Sequence, residues 1–427
     1  MKKRIERIRQ SIWLYPAIYA IISLLGAQIV ILVDSGYLAQ YKESIPSIFL
    51  TSTELARMIH GIVAGAFITI MTFTFSITMV VLTMYMSQLS PRVVENFLTQ
   101  RNTMQSFGIF LGGFTYSIVS LLFTRDTVQE YTVISASIGV LYIAVGLIYF
   151  MLFINNVVRF IQTGNVLQRL YADTEVKISR YKKMLNEHEL EAEPLIEDYS
   201  GIFHIVSQEN GYIQQIVDRQ LFQMVDKRKV AVVFQKVIGQ YVTQGERLFS
   251  VYYGAESEDV QEMADEIRAL VVIGDRKTEK QDFPYTIQKM VEVALRALSP
   301  GINDPFTAIQ GIRMIGELLG LLCQEAYGYI KVDDDPDEAG FVLLEAYCFR
   351  FLLHDAFDQI IAYGMDDIKV LTALLQTLQY LERKGSKENQ EIVQNYREFV
   401  IRKIKTKSFD PYELKQIEKY EKRLSRI

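Results

Sequence analysis

The chain has 427 residues, half of them hydrophobic and 12% aromatic, with a formal net charge of −5. So mild a charge predicts no nucleic-acid partner. Two cysteines, Cys323 and Cys348, are too few for a disulfide framework or a thiolate metal cluster and fit a reducing compartment. The apolar residues are unevenly spread. Residues 1–155 are strongly apolar, and the remainder reads like an ordinary charged soluble protein.

A helix needs about 20 apolar residues to cross a hydrocarbon core ~30 Å thick. Four segments qualify: 12–33 ("IWLYPAIYAIISLLGAQIVILV"), 59–86, 104–123 ("MQSFGIFLGGFTYSIVSLLF") and 133–154 ("VISASIGVLYIAVGLIYFMLFI"). The first is too long for a cleavable signal and lacks a small-residue cleavage site. Lys2, Lys3, Arg4, Arg7 and Arg9 precede it, Arg92 and Arg101 follow the second segment, and six Lys or Arg from Arg159 to Lys183 follow the fourth. By the positive-inside rule both termini are cytoplasmic, in a multi-pass protein of the cell membrane. Trp13, Tyr15, Tyr85 and Tyr149 suit interfacial anchoring. In the outer connector "TSTE" (51–54) has the capping-box pattern, with the Thr51 hydroxyl and Glu54 as the reciprocal pair. The second helix therefore starts near Ser52. It ends near Ser90, because Pro91 disfavours helical geometry before it.

The second segment carries hydroxyls and no charge: "ITIMTFTFSITMVVLTMYMSQLSPR" (68–92) reaches Arg92 before a charged residue appears. At about 100° per residue, Gly61, Gly65, Thr69, Thr72, Ser76, Thr83, Ser87 and Ser90 fall within a sector of roughly 80°. Val80 and Phe73 lie at its margin, and Thr74 and Thr78 point the other way. Small residues four apart let helices approach closely, with Gly108 and Gly112 of the third segment as the complement. The same face also suits a pore or aqueous path lined by Gly65, Thr69, Thr72, Ser76, Thr83 and Ser87, with Val80 as a dry constriction. A groove for lipid or a small molecule is the third reading. Proton-coupled pumps use an intramembrane Asp, Glu or His. Here His60 reads as lying at the outer end and Gln28 is the one amide well inside the first segment, which disfavours active transport.

Residues 156–198 read as a membrane-proximal helix followed by an acidic linker ("HELEAEPLIED", 188–198). Residues 199–283 read as a small β-rich domain: the stretch 211–254 is rich in β-branched and aromatic residues with turn glycines. The spacing of Gly239, Val242, Gly245, Glu246, Leu248 and Val251 resembles the turn of biotinyl and lipoyl barrel-sandwich domains, without a carrier lysine. A helix is expected over 259–270 and a short strand over 271–273.

Residues 284–427 read as a helical domain, opening on an apolar face formed by Ile287, Met290, Val291, Ala294 and Leu298. "SPGINDPFTA" (299–308) interrupts it. Asp304 followed by Pro305 is a helix start. Ser299, Gly301, Asn303 and Asp304 are also candidates for a ligand or subunit contact, since a helix N-terminus attracts anions and Asn303 with Asp304 offers oxygens to a cation. "VDDDPDEAG" (332–340) reads as a solvated acidic turn without EF-hand spacing. "HDAFD" (354–358) holds a His-Asp pair, yet Phe351, Leu352, Phe357 and Ile361 around it read as core. "DPYEL" (410–414) repeats the Asp-Pro start within a charged helical C-terminus.

The runs 75–92 ("FSITMVVLTMYMSQLSPR"), 107–119 ("FGIFLGGFTYSIV") and 295–312 ("LRALSPGINDPFTAIQGI") resemble a bacterial family of predicted membrane proteins, domain of unknown function 2254. The resemblance implies four membrane helices and a cytosolic domain, and brings no activity with it. The fold class expected is a four-helix transmembrane region plus a cytosolic α+β domain, a barrel-sandwich-like unit followed by a helical bundle. No HExxH, Walker, GxSxG or paired-cysteine motif occurs, so neither enzyme, cofactor nor metal is implied. The expected function is an oligomeric channel or passive pore in the lipid bilayer, taking an inorganic ion. The alternative is a non-conducting scaffold or sensor whose cytosolic domain binds a partner.

Overall fold

The computed structural model describes residues 14–35, 45–88, 101–124, 132–161, 163–194, 196, 199–216, 218–254, 260–332, 340–418 and 420. The N-terminal basic cluster, Trp13, Ser90, Arg92 and most of the acidic 332–340 turn lie outside them. The chain divides into two compact units, 1–165 and 166–427, each described by itself.

Among the described residues four α-helices build the first unit: α1 (Leu14–Asp34), α2 (Thr53–Gln88), α3 (Arg101–Phe123) and α4 (Ser135–Ile161). All four are long and apolar enough to cross a membrane. At 1.5 Å per residue α2 is about 54 Å long, well beyond a ~30 Å hydrocarbon layer. Two short strands, β1 (Thr51–Ser52) and β2 (Thr132–Val133), pair antiparallel ahead of α2 and α4. The cap of α2 differs from the pattern in the sequence. Thr51 is paired with Val133 in the ribbon, and the Ser52 hydroxyl accepts from Leu55 N at 3.4 Å. Asp34, at the end of α1, accepts from Ile134 N (2.9 Å) and Ser135 N (3.2 Å) and so fixes the start of α4.

Helix α3 packs against the other three and is half buried along its span, against about a fifth for each of them. Its glycines make that possible. A Cβ on Gly108 would stand 2.6 Å from the Tyr19 ring, and one on Gly112 would strike the Ser23 and Tyr142 hydroxyls. Gly113 and, on α4, Gly146 receive the fully buried Phe67 ring of α2. Gly108 and Gly112 therefore complement α1 and α4, not the Gly61–Gly65 face of α2. Much of the outward surface is apolar, as at Ile22, Ile29, Ile62, Leu141 and Met151.

The second unit is a mixed helix and sheet structure. It holds most of α5 (Thr163–Glu187), then β3 (Glu189–Glu191), β4 (Gly201–Val206), β5 (Gly211–Ile216), α6 (Asp218–Arg228), β6 (Ala231–Phe234), β7 (Tyr241–Val242), β8 (Arg247–Tyr253), α7 (Val260–Leu270) and β9 (Val271–Gly274). After these come α8 (Phe283–Ala297), α9 (Pro305–Leu322), β10 (Tyr329–Val332), β11 (Phe341–Glu345), α10 (Phe349–Gly364), α11 (Ile368–Lys384), α12 (Lys387–Lys405) and α13 (Pro411–Glu418). One sheet runs β3-β10-β11-β6-β8-β4 and another β7-β5-β9. All four residues of β6 are buried, as expected of a central strand. Leu221 and Val225 of α6 and Met263, Ala264 and Ile267 of α7 join β-strand residues in the core.

Neither sheet closes, so the barrel-sandwich expectation is corrected. The local turns are present, with Gly239 (φ +88) and Gly245 (φ +85) in the left-handed region and Glu246 accepting from Thr243 N. What they join is β7 of the three-stranded sheet to β6 and β8 of the six-stranded one, both open. Three further expectations are corrected. Helix α6 interrupts the run read as strands, because Leu221 and Val225 share a helical face and Lys227 and Arg228 sit favourably in its last turn. Glu189–Glu191, read as linker, is an edge strand on β10. Strands β10 and β11 stand inside the stretch read as helical, with β11 parallel to β6.

Candidate functional site

The hydroxyl face of α2 lies on the outside of its own bundle. Gly61, Gly65, Thr69, Thr72, Ser76, Val80 and Thr83 are all exposed, and nothing stands within 4 Å of a Cβ placed on Gly61 or Gly65. The Ser87 side chain lies outside the described residues. Thr74 and Thr78, on the opposite face, are the buried hydroxyls. Each described hydroxyl of the face is bonded back along its own helix. Thr69 donates to Gly65 O, Thr72 to Ile68 O, Ser76 to Thr72 O and Thr83 to Met79 O, each at 2.9 Å. Such i−4 bonding occupies the hydroxyl proton and leaves oxygen lone pairs facing outward. The result is an uncharged face, about 20 Å long by helical rise from Thr69 to Thr83, that presents acceptors.

In the second unit Ser299, Gly301, Asn303 and Asp304 form the turn between α8 and α9. The Ser299 hydroxyl donates to Arg296 O, and its carbonyl accepts from Ile302 N and Asn303 N. Asn303 is left-handed (φ +51), which Asn tolerates better than most residues. Asp304 N donates to Ala297 O at 2.8 Å, and its two carboxylate oxygens accept from Thr307 N and the Thr307 hydroxyl. The carboxylate thus serves as the cap of α9, with Pro305 in the first turn. Gly301 borders open space.

The His-Asp pair of α10 is an exposed i, i+4 contact, His354 Nδ1 to Asp358 at 3.1 Å, and Tyr396 donates to the same carboxylate at 2.7 Å. Leu352, Phe357 and Ile361 are buried, while Phe351, read as core, is 69% exposed. Among the described residues no group of three His, Cys, Asp or Glu is arranged to hold a metal ion.

Sequence reading missed two buried polar features. Arg397, 1% exposed, pairs with Glu382 at 3.0 Å and donates to Tyr420 O. Asp282, 1% exposed, accepts from Tyr285 N and caps α8, while its second oxygen faces Gly239. Asp282 stands directly before Phe283-Pro284, an Asp-x-Pro variant of the helix start recognised at Asp304.

Four long apolar helices carrying a mixed helix and sheet unit define a membrane protein. The family model described as "Predicted membrane protein (DUF2254)" matches residues 9–380, and the chain belongs to that family. It is 27% identical over 342 residues to the uncharacterized protein Rv1290c of Mycobacterium tuberculosis and, equally, to the uncharacterized protein Mb1321c of Mycobacterium bovis. The alignments cover 76% of this chain and 63% of each relative, so the chain spans less than two thirds of their length. No solved structure matches the chain.

Proposed function

We propose that the protein is a homo-oligomeric, passive conduit for an inorganic ion in the cell membrane, with both termini cytoplasmic. In this reading the outer faces of α2 from several copies surround the path. The single observation behind it is that the glycine and hydroxyl face of α2 is exposed on the chain's own bundle. Such a face gains little from hydrocarbon, and small residues favour close helix approach. A bundle of four helices encloses little space by itself, so a path along this face requires further copies. Outward hydroxyl oxygens replace hydration water without fixing a charge, and as acceptors they favour a cation over an anion. Val80 is the dry constriction in that arrangement. The second unit serves assembly or sensing, and the 299–304 turn is its candidate for a ligand or subunit contact. No catalytic step enters the reading.

A non-conducting scaffold is the second reading. Hydroxyls satisfied at i−4 sit equally well in a dry seam between copies, because no donor is left unpaired.

The test uses the full chain with Cys323 and Cys348 replaced. Thr69→Cys, Thr72→Cys and Ser76→Cys are exposed to a membrane-impermeant thiol reagent, and ion flux is measured in reconstituted vesicles. Modification together with flux supports the conduit. Protection at all three sites with no flux overturns it and leaves the scaffold. A monomeric mass in detergent counts against both.

A further inference from the structure

The buried side of α2 carries a polar site that is separate from its outer face. His60 is 0% exposed, and neither ring nitrogen has a hydrogen-bond partner. A neutral imidazole presents one donor and one acceptor, so both capacities are unmet. The hydroxyls of Ser117 on α3 and Ser135 on α4 are likewise buried and unpartnered.

Helical register places these atoms on the facing sides of α2, α3 and α4, Ser117 and Ser135 each within about one turn of His60 on opposite sides of its level. Phe67 of α2 fits against Gly113 of α3 and Gly146 of α4. Seven residues along α2 stands His60, and seven along α4 stands Gly139, where a Cβ would lie 3.3 Å from His60 Cε1 and Nδ1. Ser117 is one turn beyond Gly113, and Ser135 one turn beyond Gly139. Tyr116 stands edge-on to His60 with ring centres 5.9 Å apart, and its hydroxyl donates to Ser135 O at 2.9 Å. Asp34 is bonded to the same turn through Ile134 N and Ser135 N.

Buried polar groups in native proteins are paired with protein or with ordered water. Within a membrane bundle the penalty for leaving them unpaired is larger still. A second copy of the chain cannot reach atoms so fully enclosed. The surroundings hold one imidazole, hydroxyls and a carboxylate already bonded to two N–H groups, which is not a divalent-cation donor set. We infer that this end of the bundle is a binding site for internal water, in which ordered molecules bridge His60 to the Ser117 and Ser135 hydroxyls. The site makes His60 a hydrated group enclosed by α2, α3 and α4, independent of whether the outer face of α2 conducts.

Hydroxyl-radical footprinting of the full-length protein in detergent tests this, because radicals formed from bound water label the side chains beside it. Phe67 and Phe110, both 0% exposed, are the dry controls. After correction for intrinsic reactivity, His60 and Tyr116 label several-fold faster than these two rings. Labelling no faster than Phe67 overturns the site. In His60→Leu, labelling of Tyr116 drops towards the control rate, whereas an unchanged rate means the water is not shared with His60 and also overturns it. Should His60→Leu fail to fold, the comparison within the unaltered protein decides.

Discussion

Asp282 shows how a single side chain ties sequence to stability. It caps α8 from a position sealed against Gly239, whose φ of +88 and missing Cβ admit the carboxylate. Burial pushes its pKa up to about 6, opposed by the Tyr285 N–H and by the Lys277 and Lys177 ammonium groups. The folded chain therefore keeps a proton that the unfolded chain loses. The contribution of this group to stability falls as pH rises from the ordinary carboxylate range to about 6, then levels off. A shift of that size corresponds to about 3 kcal/mol. Asp282→Asn retains a capping oxygen and flattens this part of the pH–stability curve, measured by melting between pH 4 and 7. Arg397 gives the opposite case, a buried charge with its partner in place. Arg397→Ala strands Glu382 and costs about 3–5 kcal/mol in chemical unfolding, whereas a conservative apolar change at exposed Tyr412 costs little.

Helix α2 has two faces with different consequences. Gly113→Leu on α3 drives a side chain into Phe67 and destabilises the bundle by about 1–3 kcal/mol. A Cβ on Gly65 meets nothing within 4 Å and the position is exposed, so Gly65→Leu leaves the melting of the single chain close to that of the unaltered protein. If copies pack along this face, the same change lowers the mass of the assembly in detergent. Melting and mass measurements on the two variants separate the intrachain seam from the outer one. At the start of α9, Asp304→Ala removes both bonds to Thr307 and costs about 1 kcal/mol, while Asp304→Asn is close to neutral. Helix termini of this kind are legible in sequence. The Asp-Pro pairs at 304–305 and 410–411 both start helices, the second with Asp410 and Glu413 capping reciprocally. The strands were less legible, since β3 and β10 are short and gain their stability from neighbours distant in sequence.

For the molecule as a whole, the four apolar helices follow from the residues alone. A hydrocarbon layer demands about 20 apolar residues whose backbone bonds are all internal, and that requirement is written locally. The same holds for the long reach of α2, the caps at Asp304 and Asp410, and the left-handed turns at Gly239 and Gly245. Family membership was equally visible in three short runs. Tertiary structure decided which face of α2 turns outward, because that depends on Phe67 finding Gly113 and Gly146 on two other helices. It decided that α3 is the central helix, and that His60 is enclosed. It also decided that strands 189–191, 231–234, 329–332 and 341–345 share one open sheet. Periodicity along a chain reports which residues share a face. Only the packed chain reports what that face meets.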